Sequence, residues 1–360
     1  MTDNNNGRVQ PKRVLLTGHR GYIGSVMLSH LIRAGYQVVG LDTGYFRSCT
    51  FVEDPIECLE VFKDIRDLDP SDIQGFDALI HLAALSNDPI GNLNAEWTTD
   101  INEHASVRLA TLAREAGIPR FLFSSSCIMY GVSEALDVNE ESPLAPETEY
   151  ARSKVRAEAG IRSLASNGFS PTFLRNGTIY GLSPRMRFDT VLNNLVAAAA
   201  TTGKITVYSD GKPWRPVIHV QDVCRAFQAV LEAPIETVHN EAFNVGANHL
   251  NRQIIDLAEI AMKTVPGSRL DVLARPGADQ RTYRTDFSKF SRAFPEFQFK
   301  WEAPAGAAEL YQALQEQGLT YEIFMDRKFT RLTWLRHLLD TGLLDSGLRW
   351  QARQEAVIRD

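Results

Sequence analysis

Tyr150 and Lys154 are the two side chains in this 360-residue chain whose types and spacing point most directly to chemistry. They stand four positions apart in the stretch Y-A-R-S-K, so a helix through it places the phenol and the amine on one face. A tyrosine has an ordinary pKa of about 10, so it needs a nearby cation before it can take a proton from an alcohol at neutral pH. The spacing therefore predicts acid/base chemistry at Tyr150, with Lys154 lowering the pKa of the phenol.

A glycine-rich turn, T-G-H-R-G-Y-I-G, occupies positions 17–24, about 130 residues before this pair. A short apolar run precedes the turn, and a helix is predicted to follow it over 25–34. In a strand, turn and helix of this kind, the backbone amides at the start of the helix bind a diphosphate. The turn therefore predicts a dinucleotide site.

Two residues bear on which dinucleotide is bound. Asp42 ends the next predicted strand, where a carboxylate accepts hydrogen bonds from the adenosine ribose and repels a 2'-phosphate. Arg20, inside the turn, favours NADP instead, because a guanidinium pairs with a 2'-phosphate. The sequence favours NAD and leaves NADP possible.

Composition excludes several classes of protein. The net charge of −6 provides no basic surface for nucleic acid. No run approaches the eighteen apolar residues of a membrane span, and the polar first residues contain no apolar signal segment. The four cysteines, Cys49, Cys58, Cys127 and Cys224, lack the spacing of a zinc site. We expect a cytoplasmic protein without a metal, a nucleic-acid partner or a membrane partner.

Short apolar runs alternate with helical patterns along the first half of the chain. Seven strands are predicted, at 14–17, 38–42, 60–63, 78–83, 120–124, 172–176 and 242–245. Their nearly continuous apolar character is typical of a parallel sheet covered on both faces. Helices are predicted at 25–34, 101–116 and 150–167. The fold class is α/β, a Rossmann-type doubly wound parallel sheet with a smaller mixed α/β substrate lobe on the C-terminal side.

Four segments follow from this pattern. We expect a disordered tail at 1–10, an NAD(P)-binding Rossmann domain at 11–180, a substrate-binding lobe at 181–320 and a helical extension at 321–360, with 215–246 returning to the Rossmann domain. The lobe is predicted to contain helices at 189–201 and 222–232 and a strand at 205–208. Apolar residues at helical spacing over 324–350 predict an amphipathic helix, packed on its own domain or on a second subunit. A role on a membrane surface or a partner is the alternative.

Seven motifs together resemble the extended short-chain dehydrogenases/reductases that modify nucleotide-activated sugars. The resemblance spans 12–289 and rests on the glycine turn, D-I-R-D at 64–67, H-L-A-A at 81–84, S-S-S-C-I-M-Y-G at 124–131, Y-x-x-x-K at 150–154, L-R-N-G-T-I-Y-G at 174–181 and W-R-P-V-I-H-V-Q-D at 214–222. A single glycine motif is weak evidence, whereas seven in this order are a specific signal.

The resemblance implies roles for particular residues. The catalytic group is Ser126, Tyr150 and Lys154, in which Ser126 orients the reacting oxygen. Cofactor contacts are implied for Gly18, Arg20, Gly21, Tyr22, Ile23, Gly24, Asp42, Asp64, Ile65, Leu82, Ala83 and Ala84, together with Tyr150 and Lys154. Substrate contacts are implied for Ser86, Ser126, Thr178, Arg187, Arg215, Arg275 and Tyr283. The implied partner is a nucleotide-diphosphate sugar, and the helices near 101–116 and 150–167 imply a homodimer.

One departure from the family bears on the reaction. The 4,6-dehydratases place an acid pair directly after the position of Ser126, where this chain has Cys127 and Ile128. Elimination of a hydroxyl needs an acid and a base near the leaving group, and Ile128 is neither. A standard 4,6-dehydratase is disfavoured, while Cys127 remains either a small packing residue or an acid/base.

The sequence thus predicts an NAD-dependent nucleotide-sugar epimerase or oxidoreductase that transfers hydride at a ring carbon, C4, with Tyr150 as acid/base. The alternatives are an atypical nucleotide-sugar dehydratase and a 4-keto-sugar reductase that uses NADPH. A non-enzymatic dinucleotide sensor is disfavoured, because Ser126, Tyr150 and Lys154 are all present.

Overall fold

The computed structural model describes residues 12–53, 56–86, 88–132, 137–275 and 281–351. The tail expected at 1–10 lies outside these residues. The strands are β1 (Arg13–Thr17), β2 (Gln37–Asp42), β3 (Leu59–Phe62), β4 (Ala78–His81), β5 (Arg120–Ser126), β6 (Asp137–Val138), β7 (Ser170–Asn176), β8 (Thr178–Tyr180), β9 (Lys204–Val207), β10 (Trp214–His219), β11 (Ala242–Val245), β12 (Asn251–Gln253), β13 (Arg269–Val272) and β14 (Arg284–Thr285).

The helices alternate with these strands over the first half of the chain. They are α1 (Tyr22–Arg33), α2 (Asp88–Leu93), α3 (Ala95–Thr98), α4 (Ala105–Glu115), α5 (Glu149–Arg162), α6 (Val191–Thr202), α7 (Val220–Glu232), α8 (Ile235–Val238), α9 (Ile254–Thr264), α10 (Ser288–Ala293), α11 (Ala303–Glu316), α12 (Tyr321–Phe324) and α13 (Arg331–Asp340). No helix in the described part of the chain is long and apolar enough to cross a membrane.

A seven-stranded parallel sheet forms the centre of the molecule, in the order β11-β7-β5-β4-β1-β2-β3. All seven strands predicted from the apolar runs belong to it. The chain order reverses direction between β1 and β4, and in such sheets ligands bind at that reversal, beyond the carboxyl ends of the strands. The predicted doubly wound Rossmann-type fold is confirmed.

Both faces of this sheet are covered. Leu109 of α4 and Ile161 of α5 pack in one apolar core, while Leu31 of α1 and Phe227 of α7 pack in a second. Several predicted boundaries differ from the structure; helix α1, for example, begins at Tyr22 and not at 25. The strand predicted at 78–83 ends at His81, so Leu82 to Ala84 leave the sheet. The helix predicted at 150–167 ends at Arg162, because Ser166 and Phe169 pair in a tight turn. A π-helical turn, Thr99–His104, precedes α4 where one helix was predicted from 101, and β5 runs two residues further, to Ser126.

Smaller sheets lie outside the main one. Strands β8, β10 and β12 form a three-stranded sheet, while β13 pairs with β9 and β14 pairs with β6. Helices α6, α9 and α11 share an apolar core with β8, β9 and β10, which includes Leu192, Leu257 and Leu310. The predicted return of the chain is seen where β11 pairs with β7 at the edge of the main sheet.

The C-terminal segment differs from the single amphipathic helix predicted over 324–350. It consists of α12, a short 3₁₀ turn, α13 and a final turn in which Leu344 pairs with Trp350. Helix α13 ends before Gly342, whose φ of +69° is not helical. Trp334 and Leu335 are buried in the apolar core of the main sheet. The segment therefore packs on its own chain, as one of the two predicted alternatives had it.

Candidate active site

A cavity of about 510 Å³ lies beyond the carboxyl ends of the main strands. Most of the residues implied in cofactor or substrate binding line it, namely Gly18, Gly21, Tyr22, Ile23, Gly24, Asp42, Asp64, Ile65, Leu82, Ala83, Ala84, Ser86, Ser126, Tyr150, Thr178, Arg187, Arg215 and Tyr283. Arg20, Lys154 and Arg275 are not part of the lining. Residues from far apart in the sequence thus share one cavity, with the glycine turn at one end.

The glycine turn is too tight for side chains at two positions. A Cβ at Gly18 would lie 2.7 Å from the nitrogen of Ala83, and a Cβ at Gly24 would lie 2.0 Å from the oxygen of Gly18. Gly21, at the N-cap of α1, offers no side-chain hydrogen bond to the helix. The first amides of α1 are therefore left for an anion, and the turn fits the diphosphate of a dinucleotide.

The carboxylate of Asp42 is held at the end of β2. It accepts hydrogen bonds from the backbone nitrogens of Arg20, at 3.0 Å, and Gly44, at 2.8 Å. The guanidinium of Arg20 pairs with Glu60 and is thus engaged within the protein. A fixed carboxylate at the ribose position and an occupied Arg20 together fit NAD better than NADP.

Asp64 also lines the cavity, and its carboxylate is already paired. Arg66 Nη2 lies 2.8 Å from it and Arg349 Nη1 lies 3.1 Å from it. Arg349 belongs to the C-terminal segment, which thereby contacts a residue of the cavity wall. Ile65, beside Asp64, is buried.

Three consecutive serines end β5 at the wall of the cavity. Ser126 Oγ accepts a hydrogen bond from Ile128 N at 3.3 Å and so caps the turn that follows. Ser124 Oγ accepts one from Asn176 Nδ2 at 3.1 Å. The capping role of Ser126 and its place in the lining are compatible, since a hydroxyl donates as well as accepts.

Tyr150 is the second residue of α5 and stands in the cavity wall. The hydroxyl of Thr148 caps this helix by accepting from Ala151 N at 3.2 Å, which fixes where the helix begins. Burial and the nearby carboxylate of Asp88 raise the pKa of Tyr150, Arg187 lowers it, and the net pKa is about 12. Without a ligand the phenol is therefore protonated at neutral pH.

The prediction that Lys154 lowers the pKa of Tyr150 is not seen in this structure. Lys154 is buried, its Nζ donates to the carbonyl oxygen of Ser124 at 2.8 Å, and it lies 4.5 Å from the ring centre of Phe123. Burial lowers the pKa of Lys154 itself to about 8. Its ammonium binds the end of β5, and Arg187 lowers the pKa of the phenol.

Cys127 points away from the cavity. Its thiol donates to the carbonyl oxygen of Arg175 at 3.2 Å, and it packs with Tyr130, Val138 and Tyr283. Burial raises the pKa of the Cys127 thiol to about 12. These contacts favour packing over acid/base chemistry, while the apolar Ile128 faces the cavity.

Arginines line the other parts of the cavity. Arg187 pairs with Asp189 at 2.8 Å and donates to Ser86 Oγ at 3.2 Å. Arg215 lies 5.9 Å from the ring centre of Tyr283. Arg281 Nη1 lies 2.7 Å from Asp88 Oδ2.

Arg275 does not reach the cavity. It is exposed and lies against the ring of Tyr208 at 5.1 Å, whereas Arg281, six positions later in the same stretch, lines the cavity. Sequence reasoning missed Arg281, Asp88 and Arg331, which also line it. Arg281 lies in the stretch R-P-G-A-D-Q-R-T-Y at 275–283, which also holds the predicted substrate contacts Arg275 and Tyr283, whereas no motif includes Asp88 or Arg331.

His19, Cys58 and Glu60 form one group of the kind that holds metals, with ligand atoms within 4.8 Å of one another. The carboxylate of Glu60 is already paired with Arg20. We assign no metal role to this group.

Replacing Lys154 with methionine tests its burial. The depressed pKa corresponds to a cost of about 3 kcal/mol for the charged form, and the lost hydrogen bond to Ser124 offsets about 1 kcal/mol. We expect the free energy of unfolding of ligand-free Lys154→Met to exceed that of the wild type by about 2 kcal/mol at pH 7. The measurement is urea denaturation across pH.

The sign of the pH dependence follows from the lowered pKa. Between about pH 8 and 10.5 the unfolded wild type binds more protons than the folded protein, so the stability of the wild type rises with pH. The difference in the free energy of unfolding between Lys154→Met and the wild type therefore shrinks over this range. Lys263→Met, at a side chain 72% exposed, is the matched control and should change little. A Lys154→Met variant that is less stable at pH 7, or a difference independent of pH, would contradict this account.

Comparisons with known proteins agree with this geometry. The profile of the NAD dependent epimerase/dehydratase family matches residues 14–246. The chain is 26% identical over 259 residues to the dTDP-D-glucose 4,6-dehydratase of Mus musculus, covering 69% of this chain and 71% of the relative. It is 28% identical over 335 residues to a UDP-glucose 4-epimerase of Bacillus subtilis, covering 82% and 94%.

A solved structure shows the same architecture. The dTDP-glucose 4,6-dehydratase DesIV of Streptomyces venezuelae, solved with NAD bound, superposes with a TM-score of 0.72 at 25% identity over 86% of this chain and 99% of that one. The family's NAD agrees with the cofactor predicted from the glycine turn and Asp42. The chain therefore belongs to the NAD dependent epimerase/dehydratase family of enzymes, within the extended short-chain dehydrogenases/reductases.

Proposed function

We propose that this enzyme is an NAD-dependent nucleotide-sugar epimerase or oxidoreductase that acts at a ring carbon of the sugar, C4. The observation that carries the proposal is the single cavity in which Tyr150 shares a wall with the glycine turn and with Arg215 and Arg281. A hydroxyl bound at Tyr150 is thus within one cavity with both a dinucleotide site and a diphosphate site. NAD bound at the turn supplies a hydride acceptor and donor.

Tyr150 gives and takes the proton at its phenol oxygen. In the ligand-free protein its pKa is about 12, so the phenol begins as an acid. It becomes a base only when positive charge outweighs burial and Asp88, and Arg187 in the same wall contributes in that direction. Ser126 steers the reacting oxygen from the end of β5.

Lys154 acts here by holding the end of β5. Its Nζ binds the carbonyl of Ser124, two residues before Ser126, and so fixes the strand end from which Ser126 projects. Because Lys154 lies one helical turn beyond Tyr150, the same helix sets both positions.

Arg215 and Arg281 suit a nucleotide diphosphate. Guanidinium forks match phosphate oxygens in geometry as well as charge. Relatives named for dTDP- and UDP-glucose support a nucleotide sugar as the substrate class. The fixed carboxylate of Asp42 speaks against a 4-keto-sugar reductase that depends on NADPH.

We also propose a cytoplasmic homodimer that works in carbohydrate biosynthesis, with α4 and α5 at the subunit contact. Both helices present exposed positions, such as Arg108 and Arg152, on the side away from the sheet. Light scattering of the purified protein measures the oligomeric state.

Tyr150→Phe tests the proposed reaction. Removing one hydroxyl takes away the acid/base group, so we expect kcat to fall roughly a hundredfold to ten-thousandfold with an unchanged melting temperature. The measurement is product formation by NMR with a panel of UDP-, dTDP-, GDP- and CDP-sugars, with and without added NAD or NADP. Retained NAD with a product of unchanged mass identifies an epimerase, retained NAD with a product lighter by one water identifies a dehydratase, and exchange of free cofactor identifies an oxidoreductase.

Tyr208→Phe is the matched control, because Tyr208 is 56% exposed and lies outside the cavity. Undiminished turnover of Tyr150→Phe on a substrate that the wild type converts would contradict the proposal.

A dehydratase is the second candidate, and Asp88 is the observation in its favour. Its carboxylate lines the cavity, accepts from the hydroxyl of Thr148 at 2.6 Å, and lies near enough to Tyr150 to raise the pKa of the phenol. A carboxylate beside a tyrosine provides the acid/base pair that Cys127 and Ile128 do not.

Asp88→Asn separates the two candidates. For an epimerase or oxidoreductase, loss of the negative charge lowers the pKa of Tyr150, so the limb of the kcat/KM profile that requires the phenolate shifts to lower pH. For a dehydratase, the variant loses a product that is lighter than its substrate by one water. Mass spectrometry of products across pH distinguishes these outcomes.

A further inference from the structure

We infer that Arg331, from the C-terminal segment, binds a diphosphate in the active-site cavity. Arg331 begins α13 and lies more than 300 residues after the glycine turn, yet it lines the same cavity. The inference rests on the proposed function for the identity of the ligand.

The side chain of Arg331 is buried but incompletely satisfied. It is only 3% exposed. Its Nη2 donates to the carbonyl oxygen of Arg185 at 2.9 Å, and its guanidinium carbon lies 4.2 Å from the ring centre of Phe46. Its Nη1 has no hydrogen-bond partner among the described residues. A buried guanidinium with an unused donor costs free energy unless an acceptor arrives.

The surroundings of Arg331 carry excess positive charge. Burial lowers the pKa of Arg331 most, the nearby Arg187 and Arg185 lower it further, and Asp189 opposes them. Asp189 also pairs with Arg187 and accepts from the backbone nitrogen of Arg331 at 3.3 Å. Three guanidiniums around this one carboxylate, among the described residues, suit an incoming dianion.

The position of Arg331 indicates which anion. On one side Arg331 contacts Phe46, which follows Asp42 by four residues. On the other side lies Arg187, which is close enough to Tyr150 to lower the pKa of its phenol. Arg187 is also close enough to lower the pKa of Tyr22, which is the first residue of α1 at the glycine turn. A group that joins an adenosine held at Asp42 to a ring near Tyr150 passes this point. In a dinucleotide that group is the diphosphate, and the diphosphate of a nucleotide sugar has the same chemistry.

The test is isothermal titration of ligand-free protein with NAD, adenosine and UDP. We expect Arg331→Met to weaken NAD binding roughly tenfold to hundredfold and to leave adenosine binding unchanged. Arg336→Met is the matched control, since Arg336 is exposed on the same helix and outside the cavity. Arg331→Gln, which keeps an amide to donate to Arg185, replaces the methionine variant if that variant melts far below the wild type.

Each outcome decides something. Weaker NAD binding with unchanged UDP binding supports the inference and assigns the dinucleotide. Weaker UDP binding with unchanged NAD binding supports it and assigns the nucleotide sugar. Equal binding of all three ligands by wild type and variant, or an equal loss for adenosine and NAD, overturns it. A wild-type protein that binds neither NAD nor UDP would instead contradict the proposed function.

Discussion

Burial of the Tyr150 phenol is the constraint on which the chemistry of this enzyme depends. A half-buried phenol in the cavity wall beside a carboxylate keeps its proton at neutral pH, as the pKa of about 12 expresses. The same burial makes the phenol responsive, because each charge brought into a site of low dielectric counts for more than it does in water. Charges that arrive with ligands can therefore switch Tyr150 between acid and base.

The rest of the fold positions this group. The reversal of strand order between β1 and β4 opens the crevice, and the glycine turn lies at one end of it. The turn requires glycine at position 24, because a Cβ there would collide with Gly18. Helix α5 begins at a threonine cap and so places Tyr150 at the crevice. The C-terminal segment contributes Arg331 to the cavity wall and pairs Arg349 with Asp64, so the site extends beyond the residues 14–246 that match the family profile.

Features set by local pattern were predictable from the sequence. The seven strands of the main sheet were visible because each is a buried apolar run, and the glycine turn, Asp42 and Tyr150 were visible because fixed motifs carry them. Features set by tertiary contact were not. The apolar spacing over 324–350 does not reveal the end of the helix before Gly342. No residue pattern near Asp88 or Arg331 indicates that these side chains line the cavity that contains Tyr150.

The role of Lys154 shows the same limit in a more specific way. Its spacing from Tyr150 was correct, but the sequence does not show that its ammonium binds the carbonyl of Ser124. An i, i+4 pair fixes which side chains share a helix face and leaves open which partner each one takes. In this structure Arg187 lowers the pKa of Tyr150, while Asp88 raises it.

The most direct measurement is a pH titration of the Tyr150 phenol by NMR with tyrosine labelled at the ring carbon that bears oxygen, assigned with Tyr150→Phe. For the ligand-free protein, a pKa of about 12 predicts that this resonance stays at its neutral position through about pH 10, where an ordinary tyrosine is half ionised. With saturating NAD, the ionisation is predicted to move to lower pH. A resonance that titrates at the ordinary pKa with and without NAD would show that the phenol is neither buried nor coupled to the cofactor site, and would contradict the account.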